Sequence, residues 1–234
     1  MERGRSRGMS RKKNRRGPNA QKKGGFLSFF AGMLFTLLAF SCGVGAGWYR
    51  WGRETGSKVN LGEIETPDWI SQEFIRKNIF SRPATSRYTV NDIVVHYVAN
   101  AGKSAAQNRS YFDGLADQKG EDGESASAHF IIGLEGEIIQ CVPLKEYAYT
   151  SNYRNADTVS IECCHPDETG EFTDATYASL VRLTAWLCDE LEISRSRVIR
   201  HYDVSGKNCP KYFVENEAAW EAFKKDVAEY PAEK

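Results

Sequence analysis

The sequence lacks several patterns that would define its class at once. Its 234 residues contain no CxxC pair, no HExxH motif and no internal repeat. The six cysteines are scattered along the chain, which excludes a small domain held together by disulfide bonds. An apolar fraction of 41%, with 12% aromatic residues, excludes a chain that is disordered throughout. Only four histidines are present, so each histidine and each cysteine can be weighed as a separate chemical group.

The chain has no net charge, because 31 basic residues balance 31 acidic residues, but the two kinds of charge are distributed unevenly. Residues 1–25 hold ten Lys or Arg and one Glu, a charge of +9, whereas residues 26–234 hold 21 basic and 30 acidic residues, a charge of −9. Since residues 1–25 have almost no apolar side chains, we expect a disordered tail with a separate role. The remainder is long enough for one folded domain with a real core.

Charge is also missing between Lys23 and Arg50. Residues 26–49 would form a helix of about 36 Å, enough to cross a hydrocarbon layer of ~30 Å with some tilt. The +9 tail precedes this segment, so the positive-inside rule places residues 1–25 in the cytoplasm. We therefore predict a single-pass signal anchor in the lipid bilayer of the cell membrane, with the folded domain on the extracytoplasmic, cell-wall side.

Other interpretations of the N-terminal region stay open at this point. Residues 44–46 loosely resemble a signal-peptide cleavage site, although the apolar run is long for a cleaved segment. Cys42 could be acylated as in a lipoprotein, but residues 39–41 match a lipobox poorly. A basic tail can also bind nucleic acid; membrane topology and attraction to anionic lipid explain it more simply, so no nucleic-acid partner is expected. The oligomeric state is not indicated.

The polar residues 50–66 predict a linker, and the folded domain is expected to span 67–234. Residues 104–115 fit a helix or a loop, 117–127 and 200–210 are predicted loops, and His165 is expected to lie exposed in a loop. Hydrophobic patterns predict strands at 92–98, 129–132, 137–142, 158–164 and 198–199, and helices at 174–192 and 217–227. Strands interspersed with helices indicate an α/β domain.

Three side chains stand out as possible metal ligands: His96, His201 and Cys209. His96 lies inside a predicted buried strand, and the other two lie in the segment 200–210, where Gly206 indicates a loop. Two imidazoles and a thiolate suit Zn²⁺ and leave its fourth tetrahedral position open for water. From spacing alone this signal is weak, because a lone strand histidine is more often an ordinary core residue.

Four segments in order, IVVHYVAN (93–100), SAHFIIGLEGEIIQCVP (127–143), TVSIECC (158–164) and VIRHYDVSGKNCP (198–210), carry a resemblance to a known family. The sequence resembles the zinc-dependent N-acetylmuramoyl-L-alanine amidases of the Amidase_2 family, which are related to phage amidase-type lysozymes and peptidoglycan recognition proteins. The resemblance implies a mixed central β-sheet flanked by helices, with His96, His201 and Cys209 as the Zn²⁺ ligands. It also implies that the substrate is peptidoglycan, cut between N-acetylmuramic acid and L-alanine.

Amide hydrolysis needs a proton acceptor and a group that stabilises the oxyanion. Strand alternation puts Glu162 on the opposite face from Ile161 and Cys163, where it could point into a site. The resemblance makes Glu162 the general base and Lys207 the oxyanion-stabilising cation. Without the resemblance, each would be interpreted as a solvated surface residue.

The sequence departs from the phage enzymes at Ala128, where they carry a catalytic tyrosine. The adjacent His129 is therefore predicted to support or contact the site, or to be structural. Asp203 is expected to orient a ligand histidine or its loop, or simply to form a turn. Three further residues are predicted to line a substrate groove: Tyr97, Asn100 and Asn152.

Two other functions remain to be weighed against the enzyme. A non-catalytic peptidoglycan receptor on the same fold is the alternative, although such proteins typically lose the cysteine ligand, which this chain retains at Cys209. A structural zinc protein would need a closed four-ligand site, and the sequence offers no convincing fourth ligand.

Overall fold

The computed structural model describes residues 56–120 and 122–232. The predicted tail 1–25 and membrane segment 26–49 lie outside the described residues. Within the described ranges, no helix combines the length and apolarity needed to cross a membrane. A compact unit extends from Thr55 to Lys234.

A six-stranded mixed sheet forms the centre of this unit, in the order β1-β4-β3-β5-β2-β6. The strands are β1 (Ser71–Gln72), β2 (Asp92–Tyr97), β3 (Phe130–Ile132), β4 (Ile138–Gln140), β5 (Thr158–Cys163) and β6 (Val198–Arg200). Among the strand pairs of this sheet, only β3 and β4 are antiparallel, and they form a hairpin; the other pairs are parallel. The carboxyl ends of β3, β5, β2 and β6 therefore meet at one edge, where α/β folds commonly place their sites.

Five α-helices accompany the sheet in the described part of the chain: α1 (Ala105–Gly114), α2 (Asp174–Glu190), α3 (His201–Ser205), α4 (Lys211–Glu215) and α5 (Glu217–Glu229). Ser104 begins α1 through a reciprocal capping box with Gln107, and the Thr173 side chain caps α2 by accepting the Thr176 N–H. These caps satisfy backbone donors that a helix start leaves unpaired.

The sheet buries both faces, and strand alternation divides the residues between two cores. The larger core contains Ile93, Val95, Ile161 and Cys163 with residues of α2 and α5. The smaller core contains Ile131, Ile139 and Cys164 with Ala105 and Phe112 of α1. This confirms the predicted α/β class, and the adjacent Cys163 and Cys164 lie in different cores. Among the described residues, five cysteines are free and buried: Cys141, Cys163, Cys164, Cys188 and Cys209.

Three local expectations need correction. The predicted linker overlaps the folded unit, because the Ser57 N–H donates to Val90 O at 2.7 Å and Leu61 is buried in the larger core. The predicted loop 200–210 instead begins with the last residue of β6, Arg200, and continues into α3, which Gly206 ends in a left-handed conformation (φ 76°). His165 is buried rather than exposed, with its ring 5.0 Å from that of Tyr97.

Candidate metal centre

The parallel register of the sheet brings the two histidines together. Val95 of β2 pairs with Arg200 of β6, so His96 and His201 follow side by side at the carboxyl ends of these strands. Their ring centroids are 4.6 Å apart. Both imidazoles are buried, because the strand end and the first residue of α3 are covered by neighbouring elements.

The chain then reverses so that Cys209 returns to the same place. Gly206 ends α3 in the left-handed region, a conformation that glycine adopts without a steric penalty. The Tyr202 N–H donates to Cys209 O at 2.8 Å and closes the turn. Cys209 Sγ lies 3.8 Å from His96 Nδ1. The potential ligand atoms of His96, His201 and Cys209 all lie within 4.8 Å of one another.

Glu162 occupies the strand position beside His96. The two are register partners on β5 and β2, and Glu162 Oε1 is 3.8 Å from His96 Nδ1. The carboxylate is largely enclosed, with 13% of its side chain exposed, and Oε2 is buried without a hydrogen-bond partner. Burial raises the pKa of Glu162 to about 8, opposed by the positive charge of Lys207.

Burial also governs the protonation of the three potential ligands. It lowers the pKa of His96 well below its usual value and that of His201 to about 4, with Lys207 contributing in the same direction. Both imidazoles are therefore neutral at pH 7, the form that binds metals. Burial and Glu162 raise the pKa of the Cys209 thiol to about 12, opposed by the Tyr97 N–H and Lys207.

These side chains fit a zinc ion. His201 Nδ1 and Glu162 Oε2 are buried polar atoms without partners, which is costly unless another group satisfies them. A cation held by His96, His201 and Cys209 would remove that cost and would favour the thiolate and the carboxylate. Two imidazoles and one thiolate match the ligands of catalytic zinc sites. Only three ligand residues group in the described part of the chain, as an open site requires.

The cluster opens into a cleft of about 360 Å³. Of the residues singled out from the sequence, Tyr97, Asn152 and Lys207 line the cleft together with Glu162 and the three possible ligands. The walls also contain residues that sequence patterns did not identify: Phe112, Glu124, Ser125, Ala126, Ser127, Tyr149, Thr150 and Asn155. They come from α1 and from two loops, and no spacing rule relates such segments to the strand carrying His96.

Other predicted site residues lie elsewhere. His129 is absent from the cleft lining: its Nδ1 accepts the Ser160 N–H at 3.1 Å and its Nε2 donates to Glu146 O at 3.0 Å. The Asn100 amide donates to Asn108 Oδ1 at 2.9 Å, also outside the lining.

Asp203 acts on the start of α3 and makes its hydrogen bonds with Arg200. Its carboxylate accepts the Arg200 backbone N–H at 2.8 Å and also the guanidinium. Among the predicted roles, this geometry corresponds to fixing the segment that carries His201.

Comparison with known proteins matches the part of the chain that contains the candidate metal centre. The Amidase_2 family profile, described as N-acetylmuramoyl-L-alanine amidase, matches residues 86–212. A "probable N-acetylmuramoyl-L-alanine amidase" of Bacillus licheniformis is 31% identical in an alignment of 172 positions that covers 68% of this chain and 47% of the relative. The amidase BlyA of Bacillus subtilis (strain 168) is 30% identical, over 68% of this chain and 46% of its own length. The chain thus spans about half the length of the curated relatives it matches.

Solved structures also match the described domain. The catalytic domain of XlyA aligns with a TM-score of 0.57 at 28% identity, covering 68% of this chain and 98% of that domain. The PlyG catalytic domain aligns with a TM-score of 0.57 at 22% identity, covering 70% of this chain and 99% of its own, and supports the fold alone.

Proposed function

The chain belongs to the Amidase_2 family of N-acetylmuramoyl-L-alanine amidases, and we propose that it is a zinc-dependent hydrolase of the amide bond between N-acetylmuramic acid and L-alanine in peptidoglycan. The observation that carries this proposal is the convergence of five side chains at one cleft. Three are possible metal ligands, His96, His201 and Cys209, and two others, Glu162 and Lys207, supply a proton acceptor and a cation.

The metal would be held by His96, His201 and Cys209. When bound, zinc supplies a Lewis acid and lowers the pKa of a coordinated water toward 7. The chain keeps these ligands buried, which limits competing hydration and keeps both imidazoles neutral.

Glu162 is the proposed general base. Its Oε1 lies 3.8 Å from His96 Nδ1, so the carboxylate faces the ligand cluster and can accept a proton from the attacking water. The same carboxyl group can then deliver that proton to the departing amide nitrogen. Burial raises the pKa of Glu162 to about 8 in the metal-free site, and the positive charge of a zinc ion beside it would favour the carboxylate form that accepts the proton.

Lys207 is the proposed oxyanion-stabilising residue. It lies two residues before Cys209 and lines the same cleft, and the Cys209 N–H donates to its carbonyl at 2.7 Å. This short turn keeps the Lys207 backbone beside Cys209, which supports a role for its side chain at the cleft. Negative charge develops on the amide oxygen during attack, and a positioned cation stabilises that charge more than it stabilises the substrate.

An extracytoplasmic position at the cell membrane is part of the same proposal, because peptidoglycan lies outside the cytoplasm. It is supported by the charge asymmetry of residues 1–25 and 26–234 and by the apolar run 26–49. Fractionation of cells that express the full chain tests it. We expect the chain in the membrane fraction, with the domain degraded by external protease in spheroplasts; protection of the domain would contradict the topology.

The reaction is tested by incubating the full chain, purified in detergent, with peptidoglycan and analysing the products by mass spectrometry. We expect free N-terminal L-alanine and unmodified muramoyl ends, loss of activity with a chelator and recovery with zinc. Glu162→Gln should lower the rate by about 10²–10⁴-fold while retaining zinc.

Two outcomes would overturn the proposal. Cleavage within the stem peptide or the glycan would exclude the assigned bond. Binding of peptidoglycan by zinc-loaded wild type and Glu162→Gln without turnover in either would instead identify a receptor.

A further inference from the structure

A short segment in the wall of the cleft contacts both histidines of the candidate zinc site. Ser151 precedes a turn of 3₁₀ helix at Asn152–Arg154. Ser151 Oγ lies 3.4 Å from His96 Nε2, and Asn152 Oδ1 lies 3.3 Å from His201 Nε2. Two adjacent residues thus contact corresponding nitrogens of two rings that are distant in sequence.

The other nitrogen of each ring, Nδ1, does not contact this segment. His96 Nδ1 is the atom that lies 3.8 Å from both Cys209 Sγ and Glu162 Oε1. His201 Nδ1 is buried and has no hydrogen-bond partner. In both rings, therefore, Nε2 is engaged by the segment and Nδ1 remains for a metal.

The partner atoms specify which nitrogen carries the proton. The Oδ1 atom of an asparagine accepts hydrogen bonds and does not donate them. Its contact with His201 Nε2 therefore requires Nε2–H and leaves a lone pair on Nδ1. A serine hydroxyl can do the same for His96, since its oxygen has two lone pairs.

We propose that Ser151 and Asn152 are positioning residues that hold both ligand histidines as Nε2–H tautomers, so that each presents its Nδ1 lone pair to zinc. This inference rests on the zinc site of the proposed function. A second hydrogen-bonded shell of this kind fixes ring orientation before the metal arrives, and its loss typically weakens metal binding by about 10–100-fold.

The segment is anchored to the elements that carry the ligands. Asn155 Oδ1 accepts the backbone N–H groups of Thr150 and Ser151, at 3.0 and 2.7 Å. The Arg154 guanidinium binds Asp157 and also Asp92, the first residue of β2. Since β2 also carries His96, the segment and the first ligand share one rigid support.

The backbone at Asn152 identifies the most informative substitution. Its φ of 54° lies in the left-handed region, where asparagine is the most tolerated residue after glycine. Strained positions of this kind cluster at functional sites. Asn152→Gly removes the whole side chain, including the amide, and keeps the left-handed conformation accessible, whereas alanine would add strain.

Zinc affinity of the full chain, measured by competition with a chromogenic chelator and without substrate, tests the proposal. We expect Asn152→Gly and Ser151→Ala each to weaken zinc binding by about 10–100-fold. Tyr153→Phe is the matched control: it removes the bond from Tyr153 OH to Val204 O (3.0 Å) in the same segment and touches neither ring. It should bind zinc within about twofold of wild type.

A second measurement needs no variant. Nitrogen-15 NMR of the zinc-free wild-type chain should show Nε2–H tautomers for His96 and His201; Nδ1–H at either ring would overturn the proposal. Folded Asn152→Gly and Ser151→Ala with unchanged zinc affinity would also overturn it and leave the proposed function intact. A wild-type chain that binds no zinc would overturn both.

Discussion

His96 and Glu162 are register partners on the neighbouring parallel strands β2 and β5, and their side chains meet with Glu162 Oε1 3.8 Å from His96 Nδ1. Partners in a parallel sheet project to the same face, here the face covered by α1. The proposed base and the first proposed metal ligand therefore owe their proximity to the pairing of β2 with β5. Their proposed roles differ because a neutral imidazole binds metal ions, whereas a carboxylate accepts a proton.

Lys207→Ala should lower kcat by about 10²–10³-fold with a small change in KM, because the cation acts on charge that develops in the transition state. Steady-state kinetics on a soluble muramoyl-peptide would measure this. Lys225→Ala, which removes an exposed lysine on α5, is the control and should leave both constants unchanged. A rise in KM alone would assign Lys207 to substrate binding instead.

Cys209→Ser should weaken zinc binding by more than about 100-fold, because the thiolate is the softest of the three proposed ligands. Zinc content after dialysis and chelator competition would measure the effect. Cys188→Ala removes another buried thiol, in the larger core, and should lower the free energy of unfolding by about 1–2 kcal/mol with zinc retained. Equal zinc content in Cys209→Ser and wild type would exclude Cys209 as a ligand.

His129→Leu should destabilise the fold by about 2–4 kcal/mol and leave the zinc affinity of the folded protein unchanged. The substitution leaves the Ser160 N–H and the Glu146 carbonyl without their buried partner. Urea unfolding and chelator competition would separate the two effects. If stability stayed constant while KM increased, His129 would instead be a substrate contact.

Asp113 should contribute stability that depends on pH. Its partial burial favours the neutral acid, but hydrogen bonds from the Arg76 backbone N–H (2.7 Å) and guanidinium (2.9 Å) outweigh this and lower its pKa below the ordinary 3.8. A depressed acid pKa means that the unfolded chain binds the proton more readily. The contribution is therefore complete above about pH 4 and disappears as the pH falls through the folded-state pKa.

Asp113→Asn should accordingly unfold more easily than wild type by about 1 kcal/mol at pH 7, since Arg76 is half exposed and the pair is screened. Urea unfolding at pH 7 and pH 3 should show this difference shrinking at the lower pH. Asp68→Asn, at an exposed carboxylate, serves as the control. A difference that does not change with pH would exclude the ion pair as its source.

Sequence patterns anticipated much of the fold because they act over short distances. The β-branched run beginning at Asp92 predicted β2, and the 3.6-residue spacing after Thr173 predicted α2. The loop prediction at 200–210 was wrong for residues 200–205, because Arg200 ends β6, the next five residues form α3, and Gly206 indicates only where α3 ends. His165 was placed at the surface because proline and aspartate follow it, whereas the ring of Tyr97 covers it.

By itself, the sequence determined which chemical groups this domain possesses: the imidazoles of His96 and His201, the thiol of Cys209, the carboxyl group of Glu162 and the ammonium of Lys207. Only the tertiary structure decided which other residues join them. Ser151 and His96 are 55 positions apart, and Asn152 and His201 are 49 apart, so no local pattern links them. The tertiary structure also shows that His129 and Asn100 do not line the cleft. Side-chain proximity of this kind is set by strand register and loop packing, which involve the whole sheet at once.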